Sequence, residues 1–293
     1  MSAPVAIASA GLSAAIDPLG AELVSLTDSG GRQYLTDADP AFWTGHAPVL
    51  FPIIGRLRDD IYRLGDDHYR LAKHGFARKS AFEVVEAEPA RARFRLTDGP
   101  ETRAAYPFAF ELEMAFALRG MTLAMTATVR NPGGAPLPFS FGFHPAFAWP
   151  LPGGAAKADH RVMFAEPEPE PIRRIDTVTA MLLPDAQPTP VTGNVLTPRG
   201  DLFEADALIW DRLHSRALSF GADGGAWLDI AFPDCPNLGI WQKPGAAFLA
   251  IEPWHGFNDA AGFEGDFRTK PGVIELAPGH EHRFRMDVTV RPG

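Results

Sequence analysis

Between Phe108 and Arg130 the chain alternates apolar and polar residues with a period of two. Phe108, Phe110, Leu112, Met114, Phe116 and Leu118 form one set; Ala109, Glu111, Glu113, Ala115, Ala117 and Arg119 form the other. Only an extended strand puts these sets on opposite faces; a helix would scatter both around its circumference. Gly120 follows Arg119 where a tight hairpin turn belongs. Leu123, Met125, Ala127 and Val129 then resume the pattern against Thr122, Thr126, Thr128 and Arg130, until Asn131-Pro132-Gly133-Gly134 stops it. Phe284, Met286, Val288 and Val290 repeat it, and shorter candidates lie at 22–26, 91–96, 226–232 and 247–251. Strands recur without helical stretches between them. That excludes a βαβ parallel sheet and predicts an all-β fold, a large antiparallel sandwich or barrel with few short helices. The 28 glycines and 28 prolines agree, because a helical protein does not carry so many breakers.

With 46% hydrophobic residues and 21 Phe, the 293-residue chain has material for a large core, which excludes disorder. The stretch 150–198 is Pro-rich, and Glu166-Pro167-Glu168-Pro169-Glu170-Pro171 reads as an extended surface loop. The alternation is alike on both sides of it, so we expect one domain over 1–293. A net charge of −9 argues against a nucleic-acid partner. Cys235 is alone, which excludes a disulfide framework and a Cys-rich zinc site. No basic residue precedes Asp17, so the start reads as a first strand rather than a secretion signal. No apolar run is long enough to span a membrane. The expectation is a cytoplasmic protein, monomer or homodimer, with no membrane partner.

Four segments carry candidate chemistry. His144 sits among four phenylalanines in Phe139-Ser140-Phe141-Gly142-Phe143-His144-Pro145-Ala146-Phe147, and His74 sits in Lys73-His74-Gly75-Phe76-Ala77-Arg78. A histidine in apolar surroundings is more often a satisfied core group than a reactive one, and both readings stand on the residues alone. Glu252 closes the apolar run Ala247–Ile251 and is followed by Pro253-Trp254. A carboxylate under apolar cover is costly unless paired or used, or unless it bonds a turn backbone. A tryptophan is a common platform for the C–H face of a hexose, and also a common core residue. Arg56 ends Leu50-Phe51-Pro52-Ile53-Ile54-Gly55 and offers a fork to a hydroxyl or carboxylate, if it is not simply a surface group. His280 and His282 have metal-like spacing but no identifiable third ligand. Phosphate-loop, dinucleotide and nucleophile-elbow motifs are lacking. Two His, one Glu, one Arg and aromatics on a β scaffold suit acid–base work on a neutral polar ligand.

In order and spacing, Phe51–Arg56, His74–Arg78, Gly142–Phe147 and Ile251–Trp254 resemble the aldose 1-epimerase (galactose mutarotase-like) family, over about Leu12 to Val290. The resemblance implies a single, strongly twisted β-supersandwich. It implies Glu252 as general base, His144 as general acid, and His74 as a second histidine that holds the sugar. It also implies Arg56 as a substrate-binding residue, Asp206 as a partner for sugar hydroxyls, and Trp254 and Phe76 in the substrate site. The chemistry is ring opening and reclosure of a hexose, with no cofactor or metal. Lys73 before His74, and Gly239 where the galactose branch has Gln, place the chain closer to uncharacterised bacterial relatives. Two alternatives stand beside a free-hexose mutarotase. One is a hexose-6-phosphate mutarotase with Arg56, Arg58, Arg78 and Lys79 as a phosphate clamp; the other is a non-catalytic carbohydrate binder. A glycosidase fits less well, because only one carboxylate stands in a motif.

Overall fold

The structure, a computed structural model, describes residues 3–293, and it is built almost wholly from antiparallel strands. The longest alternating segments form its centre. Thr122–Arg130 pairs on one side with Glu111–Arg119 and on the other with Glu281–Arg291, over its full length. Around this trio a nine-stranded sheet extends through Trp227–Ala231, Ala217–Gly221, Arg161–Phe164 and Val195–Leu196 on one flank. Arg91–Thr97 and Glu83–Glu88 extend it on the other. Leu112, Met114, Phe116, Leu123, Met125, Phe284, Met286 and Val288 face inward and are buried. The outward face is polar, and Arg130 there bridges Glu111 and Glu281 across three strands.

A second sheet runs in the order Leu208–Trp210, Asn237–Trp241, Phe248–His255, Phe141–Phe143 and Val49–Leu50, with Ala146–Ala148 also pairing to Phe248–His255. Its central strand is buried on both faces. Leu249 and Ile251 point into the same hydrophobic core as the nine-stranded sheet, whereas Phe248, Ala250 and Trp254 point the other way into smaller clusters. A continuous core therefore lies between the two sheets, and the outer face of the second is free to build a site.

Three expectations are corrected. The strand predicted to end before Glu252 continues through Pro253 to His255. Glu252 is thus a mid-strand residue. The strand expected from Phe108 begins at Glu111, because the short helix Pro100–Ala105 precedes it and the Asp98 side chain takes the Phe110 N–H. The Glu-Pro tract is not wholly a surface loop. Glu168 is buried, and its carboxylate accepts the backbone N–H groups of His214 and Ser215.

Candidate active site

The site starts from a matter of register. Gly142 is opposite Trp254, and Ala146 is opposite Ala250. The same antiparallel register holds on both sides of His144-Pro145, so His144 lies directly across from Glu252. Proline has no N–H, and the ladder is interrupted there while the Pro145 carbonyl still accepts the Ile251 N–H at 3.0 Å. On the other side Gly239 is the register partner of Glu252, and Ile209 is the partner of Gly239. One row across the sheet therefore reads Ile209, Gly239, Glu252, His144. The four phenylalanines around His144 in sequence are on the opposite face: Phe139, Phe141, Phe143 and Phe147 belong to the main core. Strand alternation puts the imidazole into a cavity of about 320 Å³ instead.

The floor is the Trp254 indole. Its ring lies so close over the two neighbouring strands that a Cβ on Gly142 would fall 2.5 Å from Trp254 Cδ1. A Cβ on Gly239 would fall 2.6 Å from Cη2. The two glycines let an aromatic plate lie flat against the sheet. His144 Nε2 is 3.1 Å from Glu252 Oε2, close enough for proton exchange though not aligned as a hydrogen bond. The Trp43 ring stacks on the His144 ring at 4.9 Å, and His74 meets it edge-on at 5.7 Å. His74 Nδ1 accepts the Gly55 N–H at 3.1 Å while the His74 N–H donates to the Gly55 carbonyl at 2.7 Å. That exchange leaves Nε2 as the protonated nitrogen of His74. His74 and Asp206 both line the cavity with positive φ, 68° and 64°. Such conformations are strained for residues with a Cβ and gather at functional sites. Arg174 holds the Asp206 loop by donating to the carbonyls of Leu202, Asp206 and Ala207.

Burial pushes the Glu252 carboxyl well above the usual carboxylate range, with Lys73 pulling it back and Asp206 adding to the rise. Burial also drives the His144 imidazole down to about 3, and Lys73 and Arg78 push in the same direction. His74 falls well below its ordinary value for the same reasons, with the neighbouring His144 contributing. Burial therefore favours the neutral form of both members of the pair, a carboxylic acid beside an imidazole with one proton between them. Three buried polar atoms are left without partners here: His144 Nδ1, Glu252 Oε2 and Trp254 Nε1. Buried orphans of this kind call for an explanation, and a polar ligand is the direct one.

Of the residues expected from sequence, Glu252, His144, His74, Asp206 and Trp254 come together on this cavity. Arg56 and Phe76 do not. The Arg56 guanidinium turns back on Asp60, four residues on, with bonds of 2.9 and 3.0 Å. Phe76 packs against Phe51, Tyr106 and Phe110. Arg58, offered for a phosphate clamp, is bound to Glu264 and the Ala261 carbonyl, and Lys79 is exposed away from the cavity walls. The cavity instead takes Lys73, Arg78, Lys243, Asn258 and the aromatic Trp43, none of which was singled out as a site residue except Arg78. Trp43 arrives from a loop with no local motif, so only long-range packing reveals it. Among the described residues no group of three His, Cys, Asp or Glu is placed to hold a metal ion, and no helix is long and apolar enough to cross a membrane.

Comparison with known proteins adds an independent line. The family model described as Aldose 1-epimerase matches residues 5–289. Protein LacX (chromosomal) of Lactococcus lactis subsp. lactis is 33% identical over 281 residues, covering 93% of this chain and 94% of that one. A galactose mutarotase related enzyme from Lactobacillus acidophilus superposes with a TM-score of 0.90 at 32% identity, covering 98% of this chain and 97% of that one. A galactose mutarotase-like protein from Lactobacillus casei ATCC 334 superposes equally well, TM-score 0.90, at 29% identity, covering 98% and 100%. The all-β architecture is thus the galactose mutarotase-like fold.

Proposed function

The chain belongs to the aldose 1-epimerase family, and from that membership together with the Glu252–His144 pair we propose that it interconverts the anomers of an aldose by opening and reclosing the sugar ring. Glu252, as carboxylate, takes the proton of the C1 hydroxyl. His144, as imidazolium, gives its proton to the ring oxygen as the C1–O bond breaks and the C1 carbonyl forms. Rotation about C1–C2 presents the other carbonyl face. The C5 hydroxyl then attacks C1 and passes its proton to His144, while Glu252 returns its proton to the former carbonyl oxygen. Both groups end as they began.

The observation that carries this reading is the buried carboxyl–imidazole pair, 3.1 Å apart and directly opposed in the sheet. Neutral acid plus neutral imidazole holds the same number of protons as carboxylate plus imidazolium. A bound sugar whose hydroxyls donate to Glu252 favours the ionic form. His74 offers its Nε2–H to a sugar oxygen, and the Trp254 plate offers a face for ring C–H groups.

Exchange NMR on a panel of aldoses tests the reading. The protein is expected to accelerate anomer exchange over buffer for at least one aldose. Glu252→Gln is expected to lower kcat by roughly 10²–10⁴-fold, the range for loss of a positioned proton carrier. Because burial disfavours the charged form of Glu252, the isosteric neutral amide is expected to keep the fold. A folded protein that binds sugars but accelerates no exchange is a carbohydrate binder, and the reading fails.

A further inference from the structure

We propose that the aldose taken by this cavity carries an anionic group, a phosphate or a carboxylate, held by Arg78 together with Lys73 and Lys243. The catalytic side of this proposal rests on the mutarotase reading above; the binding side does not. The chain is acidic overall, with a net charge of −9, yet three cations line one cavity. Among the described residues none of the three makes an ion pair or a side-chain hydrogen bond.

The contrast with a second cavity of about 270 Å³, lined by Leu57, Tyr62 and Phe267, shows that this is not the habit of the molecule. There Arg58 is bound to Glu264 and the Ala261 carbonyl. Lys270 is bound to the carbonyls of Phe257 and Asn258 and lies 3.5 Å from Asp259. Its cations are bound by the protein, whereas half-buried Arg78 and exposed Lys73 and Lys243 on the catalytic cavity have no protein partner among the described residues.

Arg78 is the telling case. It is half-buried, and burial lowers its affinity for its proton, with Glu22 favouring the charge but not pairing with it. A partly dehydrated guanidinium without an acceptor is costly, and its planar fork matches the oxygens of a phosphate or carboxylate. The carboxylates of the cavity do not answer this charge. Glu252 faces His144 at 3.1 Å, and Asp206 Oδ1 accepts the Ala207 N–H. Lys73 and Arg78 flank His74 beside one edge of the site, whereas Lys243 follows the strand Asn237–Trp241 on the other side of Phe248–His255. Positive charge therefore converges from both flanks and would draw an anion inward.

Exchange NMR should compare glucose and galactose with their 6-phosphates and with glucuronate and galacturonate. An anionic aldose is expected to show kcat/KM roughly tenfold or more above its neutral parent, the scale of one charge-assisted hydrogen bond. The advantage is expected to shrink as salt is added, and to shrink again in Arg78→Met and in Lys243→Met. The phosphate and uronate arms decide which acid group the site takes. Equal or lower kcat/KM for every anionic aldose overturns the proposal. If no sugar shows exchange, the mutarotase reading fails by itself, and calorimetric titration with glucose and glucose 6-phosphate decides the anion site. Tighter binding of the phosphate, lost in Arg78→Met, upholds the site; equal binding or none overturns it.

Discussion

Trp43 governs the acid of the pair through its stacking on His144. Two effects of that ring oppose each other. Its face attracts an imidazolium, worth about 0.5–2 kcal/mol. Its bulk also helps keep water off a group that burial has driven to about 3, and that desolvation acts against the charged form. Trp43→Ala is therefore expected to raise the His144 pKa and move the acid limb of the pH–rate profile upward, with kcat falling about tenfold as the imidazole loses its orientation. Trp43→Phe should restore most of both. An acid limb unmoved in Trp43→Ala would refute this account. At this scale the sequence was informative where chemistry and backbone coincide, as at His74-Gly75 and His144-Pro145. It misled where a neighbour claims the side chain, as Asp60 claims Arg56. It was silent on Trp43, whose role arises only when distant segments meet.

The central strand Phe248–His255 shows why element boundaries near the site were harder to read than those of the outer sheet. Strands of the nine-stranded sheet have one wet face, so their alternation is visible in the residues. Phe248–His255 is covered on both faces and reads in the sequence as one apolar run that halts at Glu-Pro. The same coverage makes its neighbours' glycines structural. Gly239→Ala would put a Cβ 2.6 Å from the Trp254 ring, so the indole must lift or the strands must part. Overpacking of this kind costs about 1–3 kcal/mol. A lower Tm and a higher KM for the sugar are expected, read by calorimetry and exchange kinetics. Gly134→Ala, whose Cβ meets nothing within 4 Å, is the matched control with a change within about 0.5 kcal/mol. Equal Tm values for the two variants would show that the glycine is not needed under the indole.

For the whole molecule, the buried and half-buried histidines set the response to acid. Burial holds His74, His144, His160 and His282 below the ordinary value of 6.5, and His255 down to about 4. The unfolded chain binds protons at these residues as the pH falls through about 6.5, and the folded chain does not, so stability is lost on acidification. Glu252 and Asp259 are raised by burial and act in the opposite sense, their penalty easing as the pH falls toward 4.5 and 3.8. Five histidines outweigh two carboxyls, so Tm measured by calorimetry should fall between about pH 7 and about pH 5. A Tm that holds steady or rises over that interval would contradict it. The overall fold, by contrast, was legible early, because hydrophobic alternation is written into every strand that has a solvent face.

The unbroken register across His144-Pro145 has a consequence for how such a site can change over time. The acid meets the base because each is a fixed number of residues from a paired position, Gly142 with Trp254 and Ala146 with Ala250. Side chains around the cavity are free to drift and retune which sugar fits. A single residue inserted or deleted between Gly142 and His144 would turn His144 to the core face and leave Glu252 alone. Specificity in this scaffold is open to substitution, while its chemistry is guarded by chain length.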